Sequence, residues 1–248
     1  MKPVMIVTGG SQGIGAAVAR MAAARGYAVA LTYQSNKVLA DAVAAGIAGA
    51  GGQALAIQAE MAEEASILAL FRTVDEAFGP VTVLVNNAGG PGPTCKLADI
   101  TSAILDQVLA VNVRAPFLLI REAAARMATD KGGKGGSIVN VSSRASLLGG
   151  AGEWVHYAAS KGALDSLTIG ASKELAPKGI RVNAVSPGLI ETDLHARAGL
   201  PERLTTLVAG VPMGRTGSAD EVAEAVLWLA SDAASYVSGA IVPISGAR

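Results

Sequence analysis

Tyr157 and Lys161 stand four residues apart in Tyr157-Ala-Ala-Ser-Lys161, a spacing that brings both side chains to one face of a helix. A phenol is a poor base at neutral pH, because at a pKa of about 10 only about one in a thousand is ionised. Lowering that pKa by about three units takes ~4 kcal/mol. An ammonium about 4 Å away, at an effective dielectric of ~20, supplies roughly that amount, so the pair reads as an acid/base group working near pH 7. Upstream, Ser137-Ile-Val-Asn-Val141 ends in Ser142-Ser143, where a hydroxyl would hydrogen-bond a substrate oxygen as its charge changes. No Gly-x-Ser-x-Gly elbow surrounds either serine, and the only histidines are His156 and His195, which argues against a hydrolase.

A second candidate site lies near the start of the chain, in Thr8-Gly9-Gly10-Ser11-Gln12-Gly13-Ile14-Gly15. It follows an apolar run and leads into an alanine-rich segment, as a strand–turn–helix would. Glycines there let the backbone approach a pyrophosphate, and the free N–H groups and dipole of the following helix favour its charge. That is the phosphate site of a dinucleotide fold. The acidic residue that would bind a ribose 2′-hydroxyl about 20 residues on is missing. Thr32-Tyr33-Gln34-Ser35-Asn36-Lys37 offers hydroxyls, amides and one cation, and no Asp or Glu precedes Asp41. NADP is therefore favoured over NAD, with Asn36 and Lys37 as candidate phosphate contacts. The other reading of Lys37 is a solvated residue at a helix start.

The elements that must hold these groups alternate along the whole chain. Short β-branched runs at 4–8, 28–33, 54–59, 81–85, 137–141, 181–185 and 240–243 predict strands, most of them apolar throughout, as strands covered on both faces must be. Between them, 16–25, 36–50, 63–78, 101–127, 155–176 and 219–230 predict helices long enough to make crossovers. Right-handed crossovers give an α/β fold of Rossmann type, a doubly wound seven-stranded parallel sheet in three α/β/α layers, as a single domain over 1–248. The glycine-rich segment 131–136 reads as a turn before a strand, since it lacks a P-loop ending. The long connection 188–214 reads as a substrate lid.

Composition narrows the partners. With 248 residues, 51% hydrophobic and 16% charged, the chain is neither disordered nor repetitive. Its 20 basic and 20 acidic side chains cancel, which removes the footprint of a nucleic-acid or anionic-membrane binder. Cys95 is the single cysteine and no Cys/His cluster would ligate a metal, so no metal is expected and the cytoplasm is the expected compartment. The start of the chain is too briefly apolar for a signal peptide, and no run reaches ~18 uninterrupted apolar residues.

Taken together, these motifs resemble the short-chain dehydrogenase/reductase family over essentially the whole chain. Thr8–Gly15 resembles its TGxxxGxG motif and Asn86-Asn87-Ala88-Gly89 its NNAG motif. Ser143, Tyr157 and Lys161 resemble its catalytic group, and Pro187-Gly188 with Thr192 its nicotinamide-side motif. Segments 139–143 and 157–162 further resemble glucose-1-dehydrogenase-like or general oxidoreductase members. The resemblance implies an NAD(P)-dependent oxidoreductase that moves a hydride between nicotinamide and a secondary alcohol or ketone. By the same resemblance Tyr157 is the general acid/base, Lys161 binds the nicotinamide ribose and lowers the tyrosine's pKa, and Ser143 holds the substrate oxygen. The interval of 14 from Ser143 to Tyr157 is one longer than in many members, which keeps Ser142 open. Asn112 matches the asparagine whose backbone helps place a relay water.

Cofactor contacts are implied for Gly9, Ser11, Gln12, Gly13, Ile14, Gly15, Tyr33, Asn36, Lys37, Glu60, Met61, Asn87, Ala88, Gly89, Tyr157, Lys161, Pro187, Gly188, Ile190 and Thr192, with Asn86 beside the adenine ribose. Glu60-Met61 replaces the usual Asp-Val, and Gln12 stands where many NADP-dependent members have arginine. Members are often tetramers or dimers, which points to a homo-oligomer paired through 101–127 and 155–176. Leu189, Leu194, Leu204 and Leu207 with Trp154 predict an apolar or mixed small-molecule substrate. His195, Arg197 and Arg144 are the candidate polar contacts. The rival expectation is a nucleotide-binding scaffold or redox-sensing regulator that has lost its chemistry.

Overall fold

The computed structural model describes residues 2–248, and of His195 and Arg197 the backbone alone. The strands are β1 (Val4–Val7), β2 (Ala28–Tyr33), β3 (Gln53–Gln58), β4 (Val83–Asn86), β5 (Gly136–Val141), β6 (Ile180–Pro187) and β7 (Ile241–Ile244). They form one parallel seven-stranded sheet in the order β3-β2-β1-β4-β5-β6-β7. Every residue of β1, β2 and β4 is buried, because helices cover both faces and no polar side is required. The edge strands β3 and β7 lack that double cover and are only partly buried.

One face carries α1 (Gly13–Ala24), α2 (Lys37–Gly49) and α10 (Ala219–Ala230), whose Val18, Ala22, Ile47, Val222 and Val226 pack with Leu31, Val85 and Val139. The other carries α3 (Glu64–Phe78), α4 (Ser102–Leu109), α5 (Ala115–Met127) and α7 (Val155–Leu175). There Ile67, Leu70, Phe71, Leu119, Met127 and Leu175 pack with Ile6, Leu84 and Ile138. The short helices α6 (Ala145–Leu148), α8 (Leu194–Arg197) and α9 (Arg203–Leu207) sit in the loops beyond the strand ends. Strand order reverses between β1 and β4, and a doubly wound sheet opens its binding crevice at the carboxyl ends around such a reversal.

One expectation needs correcting. The uninterrupted helix expected over 101–127 is broken at Ala110–Arg114 by a π-turn, in which the Ala115 N–H reaches back five residues to the Ala110 carbonyl. Capped by Thr101 and ending at Met127, the whole stretch is long and apolar enough by composition to span a membrane. Here it is a layer of the core, with Val108, Ala115, Leu119, Ala123 and Met127 buried against the sheet and its neighbours. Segment 131–136 is a turn, as expected, with Gly132 in the left-handed region before β5.

Candidate active site

The glycine-rich turn is held by β2 and β4. Thr8 is fully buried, and its Oγ1 accepts N–H bonds from Asn87 at 3.0 Å and Ala88 at 2.9 Å. The Asn87 amide returns two bonds, to the carbonyls of Thr8 (2.9 Å) and Gly9 (3.0 Å). The Gly9 N–H meets the Thr32 hydroxyl at 3.0 Å. A Cβ on Gly15 would lie 2.3 Å from the Gly9 carbonyl oxygen and 2.5 Å from Asn87 Nδ2, so only glycine lets α1 start this close to the turn. Gly15 therefore shapes the site from behind without lining it.

Above this turn lies a cavity of about 580 Å³. Gly9, Ser11, Gln12, Gly13, Ile14, Tyr33, Asn36, Glu60, Met61, Asn87, Ala88, Gly89 and Asn112 all line it, together with Gln34, Ser35, Gln107 and Asp193. Asn36 accepts the Leu39 N–H as the N-cap of α2. Glu60 accepts from the Gln34 side chain at 2.7 Å and from the Ala62 N–H at 3.2 Å, so its carboxylate fixes the far wall. Two expected contacts lie elsewhere. Lys37 is exposed and its ammonium pairs with Asp41 at 2.6 Å along α2, because an i,i+4 partner is closer than the cavity. Asn86 turns inward from β4 and donates to Asn140 Oδ1 at 2.8 Å, beginning a buried chain that Asn140 continues to Thr168. Among the described residues lining this cavity the charged ones are Glu60 and Asp193, with no lysine or arginine.

Ile14, Asn87, Gly89, Thr192 and Leu194 line this cavity and also a second one of about 520 Å³, which holds Tyr157 and Lys161. Ser143, Tyr157, Lys161, Pro187, Gly188 and Ile190 all belong to its wall. The Ser143 hydroxyl bonds the Tyr157 phenol and also accepts the Ala145 N–H at 3.1 Å. Ser142 lines the same cavity, but its Oγ is buried and faces the Lys161 carbonyl at 3.5 Å. Lys161 is 4% exposed, donates to the Val141 carbonyl at 2.8 Å, and holds its Nζ 5.6 Å from the centre of the Tyr157 ring. Burial pulls its pKa down to about 8, against an upward pull from Asp165 one turn along α7. Burial pushes the Tyr157 phenol up, and the Ser143 bond pulls it back. The cation effect expected from Lys161 is not among the causes acting on the phenol here, since the ammonium is directed at Val141.

Asn112 sits inside the π-turn, 1% exposed. Its amide donates to the Gly90 carbonyl (3.0 Å) and to Ser160 Oγ (2.9 Å), and its Oδ1 accepts the Gly90 N–H (3.1 Å). Gly89, at φ +154°, leaves room for that oxygen, which an added Cβ would meet at 2.7 Å. The side chain thus fastens the loop after β4 to α7.

The remaining wall comes from residues that the sequence motifs do not mark. Glu153 and Arg203 form an ion pair across 50 positions, the guanidinium carbon lies 4.6 Å from the centre of the Trp154 ring, and Trp154 meets Tyr157 edge-on with ring centres 6.5 Å apart. Arg144 donates from Nε to the Arg248 carbonyl at 2.8 Å. Leu189, Leu194 and Leu207 supply the apolar part, Leu204 does not line this cavity, and the side chains of His195 and Arg197 lie outside the described residues.

A protein-family model described as enoyl-(acyl carrier protein) reductase matches residues 9–246. The chain is 37% identical to a doubly substituted variant of a Serratia marcescens short-chain dehydrogenase/reductase, with a TM-score of 0.91 over 99% of this chain and 97% of that one. The chain belongs to the short-chain dehydrogenase/reductase family. It is also 48% identical over 245 residues to the uncharacterized oxidoreductase YgfF of Escherichia coli K12, covering 99% of both chains. A blue fluorescent protein from a metagenomic library, solved in complex with NADPH, is 36% identical with a TM-score of 0.90, over 99% of this chain and 97% of that one. This short-chain dehydrogenase/reductase is accordingly an oxidoreductase that uses a nicotinamide dinucleotide. The residues present fit that group: a glycine turn at a helix N-terminus, and two adjoining cavities with Tyr157 and Lys161 on the wall of the second.

Proposed function

We propose that this enzyme interconverts a secondary alcohol and its ketone, with Tyr157 as the general acid/base. The observation that carries the reading is the Tyr157 phenol, bonded to the Ser143 hydroxyl and beside the buried Lys161 ammonium, on the wall of the second cavity. A bound nicotinamide dinucleotide would supply hydride transfer at the carbinol or carbonyl carbon. Ser143 then holds the substrate oxygen, and Tyr157 removes the hydroxyl proton in oxidation or supplies it in reduction. Lys161 would favour the phenolate only once its ammonium, while protonated, turned from the Val141 carbonyl toward the phenol. Asn112 keeps the π-turn and the loop after β4 in register with α7, leaving main-chain groups there off the regular helical ladder and available to a relay water.

Gly9, Ser11, Gln12, Gly13 and Ile14 would hold the phosphates, Tyr33, Asn36, Glu60 and Met61 the adenosine end, Asn87, Ala88 and Gly89 the middle, and Pro187, Gly188, Ile190 and Thr192 the nicotinamide end. The preference for NADP rests on the lack of a carboxylate at the end of β2 and on the neutral donors Gln34, Ser35 and Asn36, because Lys37 is committed to Asp41. Neutral hydrogen bonds give a preference of roughly tenfold at most. Calorimetric titration with NADP and NAD, followed by a screen of alcohols and ketones with the tighter one, tests both points. Tight binding without turnover on the panel would replace this reading with a nucleotide-holding scaffold. The segment 188–214 is the substrate lid. Exposed Leu105, Phe117 and Ile169 on α4, α5 and α7 support pairing of copies through these helices, and a monomer in sedimentation would refute it.

A further inference from the structure

We propose that the substrate side of this site takes an alcohol or ketone that also carries a carboxylate, and that Arg203 receives that carboxylate. The inference rests on the oxidoreductase reading above and narrows it. The chain as a whole has no net charge, yet the second cavity is lined by Arg144, Lys161, Arg203 and Arg248 against Glu153. Cations gathered along one cleft call for an anion.

Arg203 is the member of this group prepared for one. It projects from α9 in the lid segment with only 17% of its side chain exposed. Its plane is fixed on both sides before any substrate arrives, by the Trp154 ring under it and by Glu153 at Nη1. Its Nε–H is buried and has no hydrogen-bond partner. Nε and the adjoining Nη2 form the edge of a guanidinium that binds a carboxylate at two points. A donor left unpaired on a preset side chain in a substrate cavity is what a ligand oxygen would complete. Arg144, by contrast, already has its Nε spent on the Arg248 carbonyl.

The geometry also limits the ligand's size and charge. The guanidinium carbon is 4.6 Å from the Trp154 ring centre and that centre is 6.5 Å from the centre of the Tyr157 ring, which places Arg203 within about 11 Å of the phenol ring. The acid group is therefore separated from the reacting carbon by a short chain or a single ring. Because Glu153 already neutralises part of the guanidinium charge, a monoanion fits better than a phosphate dianion.

The test uses the enzyme saturated with its tighter nicotinamide cofactor and compares straight-chain keto acids of increasing length, starting from 4-oxopentanoate, with their methyl esters. The acids are expected to exceed their esters in kcat/KM by roughly ten- to a hundredfold at the best length. Arg203→Met should erase that advantage, lowering kcat/KM for the acid far more than for its ester. Glu153→Gln, which removes the competing carboxylate, should raise the acid's kcat/KM through KM. A purely structural ion pair predicts the opposite, with both variants lowering acid and ester alike. Equal turnover of acid and ester by the intact enzyme would also overturn the proposal. Calorimetry with benzoate and benzamide reads the same site without turnover. Benzoate binding that is lost in Arg203→Met upholds the carboxylate site even if no ketone reacts, whereas turnover of esters alone upholds the oxidoreductase reading and sinks this one.

Discussion

The two cavities share a wall but are made differently. The first is shaped by main chain: glycines, the Asn87 amide bonded to two carbonyls, and a threonine hydroxyl buried under two N–H groups. The second is shaped by long side chains from Arg144, from α7, from segment 188–214 and from Arg248. A backbone cradle suits a ligand common to many enzymes, and a side-chain wall lets one enzyme choose its own substrate. In the proposed reaction chemistry occurs where the two meet, with Tyr157 on the wall of the second.

The largest effect should come at that boundary. Tyr157→Phe should lower turnover by roughly 10²- to 10⁴-fold. Cofactor affinity measured by calorimetry should stay within about threefold, since the phenol's partner is Ser143 and the glycine turn is untouched. Loss of binding as well would mean that the two halves are not separable.

A glycine pair compares the halves directly. Gly15→Ala puts a carbon 2.3 Å from the Gly9 carbonyl oxygen and should cost about 1–3 kcal/mol of stability and most of the cofactor affinity. At Gly210, in the lid, a Cβ meets nothing within 4 Å, and Gly210→Ala should shift the melting temperature little. Equal effects at both positions would refute the contrast between a tight and a permissive half.

The buried Lys161 gives a pH signature of intermediate size. Its folded pKa, about 8, lies below the ordinary lysine value of 10.5. Below pH 8 both states carry the proton and the burial penalty is constant. Between pH 8 and 10.5 the unfolded chain holds more protons than the folded one, so stability rises with pH, by up to ~1.4 kcal/mol per unit from this group. Tyr157, raised above 10, acts in the opposite direction only above pH 10. Denaturant melts of the cofactor-free protein from pH 7 to 10 should show the rise, and Lys161→Met should flatten it.

The smallest effect is expected at Lys37. An exposed ion pair such as Lys37–Asp41 contributes little, so Lys37→Ala should change the NADP to NAD affinity ratio by less than about threefold. A larger drop would mean that the ammonium leaves Asp41 for the cofactor.

What was legible in the sequence follows the same division. The glycine turn and the Tyr157–Lys161 spacing could be read because main-chain approach and helical spacing are local properties, and they map onto the joined cavities. The strands were legible from their unbroken apolar runs, which a doubly covered sheet demands. Arg203 and Glu153 pair across 50 positions, and nothing local marks either partner; Arg144 is marked by its place after Ser143, but its bond to Arg248, 104 positions away, is not. Glu60 and Asn36 line the first cavity, but their commitments to Ala62 and Leu39 are turn and cap contacts that only the folded backbone reveals. The π-turn escaped because composition reports helix and is nearly blind to one residue more or less per turn.

That turn also makes the chain sensitive to length in a way that side-chain substitution does not test. Ala110–Arg114 accommodates a surplus residue. Excising one would restore an even spiral but swing everything on one side of the cut by about 100°. Either Asn112 would lose its grip on Gly90, or Leu119, Ala123 and Met127 would be wrenched off the sheet. A single-codon deletion here should therefore be far more damaging than any point change at Ala110, Val111 or Val113.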